Sequence, residues 1–315
     1  MRQAIARDFA AVPGIEVVMP VDSRLTAEDE PGIHVHRLDR SVTGVIESLA
    51  AASDYSLLIA PETDGILEQL TERVEQAGGR SIGSRPRAIG LTGDKARLAH
   101  HFYGAGIRSP QTYVIEPSHK TLPGDWEGPS LVKPRDGAGS VETRVVHDRR
   151  RPDWLTRRAQ AIVQPYLPGE PMSASFLVDV SGGLTLLGVG RQDINVDRDG
   201  RISYRGGIIL SSLHEAPEVV IKALSSVNEY LGSRRLRGFV GVDYLADPAS
   251  GVTVLEINPR PTTSYVGLAK RLGSGTIAGA WLDSMEGPLA ATDWPGRIRA
   301  ARSGLDVCFD ASGLT

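Results

Sequence analysis

Two short apolar runs, Gly241-Val242-Asp243-Tyr244-Leu245 and Val254-Leu255-Glu256-Ile257-Asn258, carry carboxylate and amide side chains where buried strands normally carry none. An unpaired carboxylate on a buried face is costly, so oxygens placed there need a cation or a task. Paired as antiparallel strands, the runs put Glu256 and Asn258 at i and i+2 on one face. Their Cα atoms would be ~6.6 Å apart at ~3.3 Å rise per residue. That suits two oxygen ligands flanking a pair of metal ions about 3.5–4 Å apart, and Asp243 can complete the set from the neighbouring strand. Oxygen donors without His or Cys favour Mg2+ or Mn2+ over zinc. A surface hairpin with solvated charges is the plain alternative, but the flanks Gly-Phe-Val-Gly-Val and Val-Thr-Val-Leu are too apolar for it. A cation, Arg260, follows directly.

With 315 residues, 41% hydrophobic and 23% charged, the chain has room for two or three packed units. A net charge of −3 gives no reason to expect nucleic acid or an anionic membrane as partner. No apolar run is long enough to span a bilayer, and the first residues lack the apolar core of a signal peptide. Cys308 is the only cysteine, which excludes an internal disulfide and a cysteine-based metal site. These features together predict a cytoplasmic protein. Only five of the 35 cationic residues are lysine, so Lys95 and Lys133 stand out against an Arg-rich background that accounts for Lys120, Lys222 and Lys270.

The pattern predicts helices over 2–11, 41–51 and 64–77 and strands over 15–19 and 56–60. The run Ser56-Leu57-Leu58-Ile59-Ala60, closed by Pro61, has the character of a buried parallel strand, and the alternation argues for an open α/β sheet. A helix follows Thr92-Gly93-Asp94-Lys95. Strands are expected over 111–115, 130–133 and 143–147, then a helix near Trp154 to Ala161. Long strands over 173–180, 184–192 and 202–210 and a helix over 216–231 lead into the acidic hairpin.

Leu131-Val132-Lys133-Pro134-Arg135-Asp136-Gly137-Ala138-Gly139-Ser140 is a strand ending in Lys and then a glycine-rich loop. Pro134 stops the strand, and Gly137 and Gly139 let backbone N–H groups approach an anion. The loop suits nucleotide phosphates, although it is neither a Walker A loop nor a dinucleotide fingerprint, and a plain turn is the competing reading. Gln164-Pro165-Tyr166-Leu167-Pro168-Gly169 then links the unit holding Lys133 to the unit holding the hairpin. It is either an ordinary linker or an adenine-edge reader with Glu170 beyond it for ribose hydroxyls.

This ordered set of Lys95, Lys133 with its loop, Gln164 to Glu170, Asp243, Glu256, Asn258 and Arg260 resembles the ATP-grasp superfamily over roughly residues 55 to 285. The resemblance implies an α/β and α+β fold: an N-terminal Rossmann-like pre-ATP-grasp domain over 1–92, then two ATP-grasp subdomains over 93–168 and 169–315 that clamp ATP. It implies that Lys95 and Lys133 hold phosphates while Gly137, Gly139 and Ser140 close over them. Gln164 and Leu167 would flank adenine and Glu170 would bind ribose. Asp243, Glu256 and Asn258 would hold two Mg2+ or Mn2+, and Arg260, with Lys133, would serve the transferring phosphoryl group or the acyl phosphate. The reaction implied joins a carboxylate to an amine through an acyl phosphate, with ATP and two small molecules as partners, and is compatible with a homodimer.

Leu58-Ile59-Ala60-Pro61-Glu62-Thr63-Asp64-Gly65, Tyr204-Arg205-Gly206-Gly207 and Glu256-Ile257-Asn258-Pro259-Arg260-Pro261-Thr262-Thr263-Ser264 look most like the tyramine–glutamate ligase group of methanofuran biosynthesis and its bacterial relatives. Glu62 and Asp64, at the end of a strand where open sheets bind ligands, would form the acceptor pocket with Arg191, Arg205 and Gly206. Alternatively they cap the helix beginning near Gly65. That family pattern opens on a strand and a glycine-rich turn, whereas this chain opens on a helix, which reads as a misassigned start or an absent first strand. Ligation of other amino acids into a dipeptide-like product and a nucleotide sensor without turnover are the competing functions.

Four weaker signals point away from chemistry. Gly79-Arg80-Ser81-Ile82-Gly83 follows a helix, unlike a hydrolase elbow, and adjacent His100 and His101 cannot face one metal from a helix. Arg149-Arg150-Arg151 reads as a solvated turn and Cys308 as strand packing.

Overall fold

The computed structural model of the chain describes residues 1–38, 44–137, 139–155, 160–211 and 214–311. Its first part alternates as expected: α1 (Arg2–Ala10), β1 (Val17–Asp22), β2 (Ile33–Leu38), α2 (Val45–Ala51), α3 (Ile66–Gln76), α4 (Pro86–Gly93) and α5 (Lys95–Gly104). β1 and β2 form a two-stranded parallel sheet, and α1 lays Ala6 against its Met19, Val21 and Ile33. The predicted strand over 56–60 does not form a ladder. Ser56 makes a single parallel bridge, to Ser81, because the partner segment beyond it turns its carbonyls elsewhere. The Trp281 indole donates to the Ile82 carbonyl (2.8 Å), and Arg237 donates to those of Ser81 and Gly83.

The next strands, β3 (Tyr113–Ile115), β4 (Ser130–Pro134), β5 (Arg144–Val146) and β6 (Ala161–Pro165), build an antiparallel sheet in the order β3-β6-β4-β5. The helix expected near Trp154 to Ala161 falls largely on 156–159, outside the described residues, and Ala161 itself opens β6.

The remaining elements are β7 (Glu170–Val178), β8 (Leu184–Val196), β9 (Ile202–Ile209), α6 (Glu218–Leu231), β10 (Gly238–Asp247), β11 (Gly251–Asn258), α7 (Ser264–Leu272), α8 (Thr276–Glu286), α9 (Trp294–Ala301) and β12 (Val307–Asp310). Six strands join as β11-β10-β7-β8-β9-β12. Strand alternation gives this sheet two different faces. Met172, Ala174, Phe176 and Val178 of β7 and Val240, Val242 and Tyr244 of β10 pack on α4, α5 and α6. On the opposite face Leu177 and Phe239 pack under α7 and α8. Further along that face Ser175 meets Ser264 at the start of α7 (3.2 Å), and beyond it Ser173 and Asp243 line a cleft. Cys308 lies exposed on the edge strand β12, contrary to the packing expected of it, while its neighbour Phe309 is buried.

Two ties hold the layers in place. Asp8 of α1 is buried and accepts the Tyr265 hydroxyl (2.6 Å) and the amides of Gly275 (2.6 Å) and Ala278 (3.1 Å), capping α8. At the opposite side, the tip of the β8–β9 hairpin touches the four-stranded sheet. The Val145 amide donates to the Gly200 carbonyl (2.8 Å) and the Ile202 amide to that of Thr143 (2.9 Å). A Cβ at Gly200 would lie 2.1 Å from the Val145 oxygen, so only glycine permits this approach. No described helix is long and apolar enough to cross a membrane.

Gly238 opens β10 at φ +70°, and a Cβ there would lie 2.2 Å from the Ile82 oxygen and 2.5 Å from the Trp281 indole nitrogen. Gly238→Ala should therefore destabilise the protein by about 2 kcal/mol or more, read as a shifted urea midpoint. A change under about 0.5 kcal/mol, as on an open surface, would contradict this packing.

Candidate active site

Where the polar end of the large sheet faces the four-stranded sheet, a cleft of ≈ 1480 Å³ opens. Its floor is the hairpin β10–β11. Asp243 stands directly opposite Glu256, and Gly241 opposite Asn258, the antiparallel pairing the sequence predicts. A register shift follows Asp243, so that Tyr244 pairs with Val254. The extra residue, Leu255, changes the phase of the strand. Val254 and Ile257 enter the core while consecutive Leu255 and Glu256 both line the cleft.

Polar contacts fix the floor. Asn258 Nδ2 donates to Asp243 Oδ2 (3.0 Å) and Gln192 Nε2 to Asp243 Oδ1 (2.8 Å). Lys95 Nζ and Lys133 Nζ approach Glu256 Oε2 at 3.7 and 4.0 Å. Burial and the neighbouring Glu256, with which it shares a hydrogen bond, push the Asp243 carboxyl up to about 8. Burial acts upward on Glu256 most strongly of any single cause, but Lys95, Lys133, the hydrogen bond with Asp243 and Arg260 together hold that carboxyl below its ordinary range. Lys133 is pushed down to about 8 by burial, opposed by Glu256 and reinforced by Lys95. Tyr204 is pushed well up by burial and by Asp243.

The lysines are held from outside the floor. Lys133 sits on β4, buried in the four-stranded sheet. Asp94 caps α5 through the amides of Ala96 and Arg97 (both 3.1 Å) and receives a two-pronged ion pair from Arg135 (2.7 and 2.9 Å). That cap fixes Lys95 at the first position of the helix, where its Nζ donates to the Gly137 carbonyl (2.8 Å). The loop that follows is unusually twisted: Gly137, Gly139, Ser140 and Glu142 all have positive φ. Two of these are not glycine, and such strain concentrates at binding sites.

Arg260 makes a two-pronged ion pair with Glu62, Nε to Oε1 at 2.9 Å and Nη2 to Oε2 at 3.1 Å. Glu62 therefore does not cap the helix after it. Asp64 lines the cleft with φ 54°, and its amide donates to Asp136 Oδ2 of the glycine loop (2.8 Å). Three segments that lead into helices thus reach the cleft: Thr63 to Gly65 before α3, Asp94 before α5, and Thr262 and Thr263 before α7. Helix starts favour anions.

The structure brings Glu62, Asp64, Lys95, Lys133, Gly137, Gly139, Ser140, Gln164, Leu167, Asp243, Glu256, Asn258 and Arg260 together in this cleft. Gln164 is buried and its amide donates to Thr112 Oγ1 (2.8 Å). Glu170, Arg191, Arg205 and Gly206 do not line it. Glu170 and Arg191 pair with each other at 3.3 Å on the exposed side. Gly206 packs against β12, where a Cβ would lie 2.2 Å from the Phe309 oxygen. Gln192 and Ile194 of β8 and Ile202 and Tyr204 of β9 line the cleft instead; Gln192 and Tyr204 are each one residue away from a predicted arginine and so on the other face. Among the described residues no three His, Cys, Asp or Glu side chains form a metal cluster. Asp243, Glu256 and Asn258 offer two carboxylates and an amide, a set that could hold a hard cation.

In metal-free protein the raised Asp243 carboxyl stabilises the fold while protonated. That contribution is complete below the ordinary 3.8 and is lost as pH rises through about 8. Lys133 acts with the opposite sign above that, since its ammonium disfavours the fold until it deprotonates near 8. Urea unfolding in EDTA should show stability from this site falling between about pH 4 and 8, with a flatter profile in Asp243→Asn. Parallel profiles would refute the assignment.

A family model for the ATP-grasp domain matches residues 92–264, and one for the pre ATP-grasp 3 domain matches 15–89. The tyramine–L-glutamate ligases of Methanocaldococcus jannaschii and Methanocaldococcus fervens are 27% and 28% identical to the chain over 215 residues, 68% of its length. The chain spans 58% and 61% of those proteins. A D-alanine–D-alanine ligase of Oleidesulfovibrio alaskensis is 30% identical over 245 residues, 70% of this chain and 73% of that protein. Among solved structures, an ATP-grasp superfamily protein of Archaeoglobus fulgidus matches with TM-score 0.58 and 26% identity over 80% of this chain and 71% of that chain. The D-alanine–D-alanine ligase of Bacillus anthracis, solved with ATP, shares the fold at TM-score 0.56 and 17% identity, over 91% of this chain and 98% of that one.

Proposed function

The chain belongs to the ATP-grasp family, and on that premise we propose that it joins a carboxylate to an amine with cleavage of ATP to ADP and phosphate. The observation that carries this reading is the convergence of Lys95, Lys133, Glu256, Asp243, Asn258 and Arg260 with a glycine loop on one cleft. In this reading Lys95 and Lys133 hold phosphates, and amides of Gly137, Gly139 and Ser140 cover them. Leu131, Leu167, Leu245 and Leu255 give adenine an apolar slot beside the Gln164 to Gly169 linker. Glu170, next to Gly169 at the rim, would reach a ribose only by leaving Arg191. The division at about residues 92 and 168 belongs to the same reading, in which α5 lies within 93–168 yet sets Leu98 and Phe102 in the core of the large sheet.

The donor set fits a hard cation, since the metal-free site disfavours ionised Asp243 and supplies only oxygens. Held by Asp243, Glu256 and Asn258, Mg2+ or Mn2+ would neutralise phosphate charge. The acid's carboxylate oxygen attacks the γ-phosphorus, and the bond to the bridging oxygen of ADP breaks. Arg260 stabilises the charge on the moving phosphoryl group, and positioned cations of this kind supply most of the rate in phosphoryl transfer. The amine nitrogen then attacks the acyl phosphate carbonyl, and phosphate leaves. Thr63 to Gly65, Glu68 and Arg97 line the end of the cleft left for these substrates.

L-glutamate and an aromatic amine such as tyramine are the substrates favoured by the relatives named for that reaction, which would place the chain in methanofuran-type one-carbon metabolism. The D-alanine–D-alanine ligase relative supports a second reading, a dipeptide-like product. Phosphate release measured with ATP, Mg2+, L-glutamate and a panel of amines, and in parallel with amino-acid pairs, separates the two. No release with any pair would leave a nucleotide sensor.

Glu256→Gln should lower amide formation by about 10²-fold or more with an unchanged far-UV circular dichroism spectrum, and turnover at the wild-type rate would sink the ligase reading. Mg2+ should raise the Tm of the wild type at pH 7 and do so less in Asp243→Asn, as binding to the native state requires. Equal shifts in both would place the cation elsewhere.

A further inference from the structure

We infer that Glu62 is a positioning residue for Arg260, aiming its guanidinium at the phosphoryl group in transfer; the inference rests on the ligase reading. Both side chains are nearly withdrawn from water, at 5% and 12% exposure. A guanidinium has five N–H donors in a fixed plane. Two go to Glu62, and one on Nη1 goes to the Pro261 carbonyl at 3.2 Å. Among the described residues one N–H on each Nη remains, and Arg260 lines the cleft between Asn258 and Thr262. The plane is thus fixed from behind while two donors stay available to an oxyanion in front.

The packing around Glu62 is made to measure. A Cβ at Gly93 would lie 3.0 Å from the Glu62 Cβ, so the absence of a side chain on α4 makes its room. Two residues on, Asp64 has left-handed backbone and its amide holds Asp136 of the glycine loop. One short turn therefore fixes both the arginine and the loop opposite it. A buried ion pair is a weak source of stability, because desolvation offsets the attraction. Orientation is the use that remains, since a two-pronged carboxylate fixes the guanidinium plane as well as its charge.

Affinity for ADP alone and for ADP with aluminium fluoride, a stand-in for the phosphoryl group in transfer, tests this without turnover. Measurements use the full chain with Mg2+ and compare wild type, Glu62→Gln, Glu62→Asp, Arg260→Ala and the double variant Glu62→Gln/Arg260→Ala. In Glu62→Gln the added affinity conferred by aluminium fluoride should fall about tenfold or more, as loss of a charge-assisted contact implies. ADP affinity should stay within about twofold. Glu62→Asp, which keeps the charge, should recover part of the loss. In turnover, kcat should fall with KM for ATP unchanged, the mark of an interaction made in the transition state. Guanidinium ion should restore Arg260→Ala only when Glu62 is present. Equal loss of ADP and fluoroaluminate binding, full retention of both, or rescue without Glu62 would overturn the inference. So would a wild type that gains nothing from aluminium fluoride. Absent turnover with intact, Glu62-dependent fluoroaluminate binding would instead remove the ligase reading and leave the positioning role standing.

Discussion

Asp243 and Glu256 face each other across hydrogen-bonded strands, and two carboxylates so placed in poor water cannot both ionise unaided. Most of the surrounding architecture answers that constraint. Lys95 and Lys133 come from two other elements to stand within 4.0 Å of Glu256. Gln192 and Asn258 turn amide donors onto Asp243. Even the Asp94–Arg135 pair belongs to the same account, since it fixes the start of α5 and thereby Lys95. The site is a set of charges that each need the others.

The large sheet supplies the stage for this by changing character along one face. Leu177 and Phe239 lie under helices, while Ser173 and Asp243, further along the same strands, lie under the cleft. Alternation keeps these residues on one side, so burial at one end and chemistry at the other follow from a single register. The bulge at Leu255 then lets two consecutive residues serve the cleft without dislodging Val254 or Ile257 from the core.

Much of this was legible in the chain because acids inside apolar runs violate the strand pattern and so announce themselves. Lys133 was legible against an Arg-rich background, and the glycine loop by its composition. The phase of β8 and β9 was not. Both carry polar residues on both faces, so Arg191 and Arg205 drew attention where Gln192 and Tyr204 face the cleft. Helix α4 was hidden by Gly90 and Gly93, poor helix formers, though Pro86 at its first turn was a usable start signal. Strand β6 is short and runs into Pro165, so Ala161 read as a helix end. The alternating Ile33-His34-Val35-His36 of β2 is a plain strand signal in the chain. The bond between Glu62 and Arg260 spans 198 residues, and no local pattern encodes a pairing of that length.

The glycine-tipped hairpin at Gly200 gives the cleft a front and a back. Its two amide bonds fasten the outer strand β5, while Lys133 lies one strand further in and β6 runs straight into the linker toward β7. The four-stranded sheet is therefore held at both margins, by the hairpin tip on β5 and by the covalent linker Gln164 to Gly169 after β6. The cleft is bound as a book is, with the linker as its spine and the hairpin tip clasping its fore-edge.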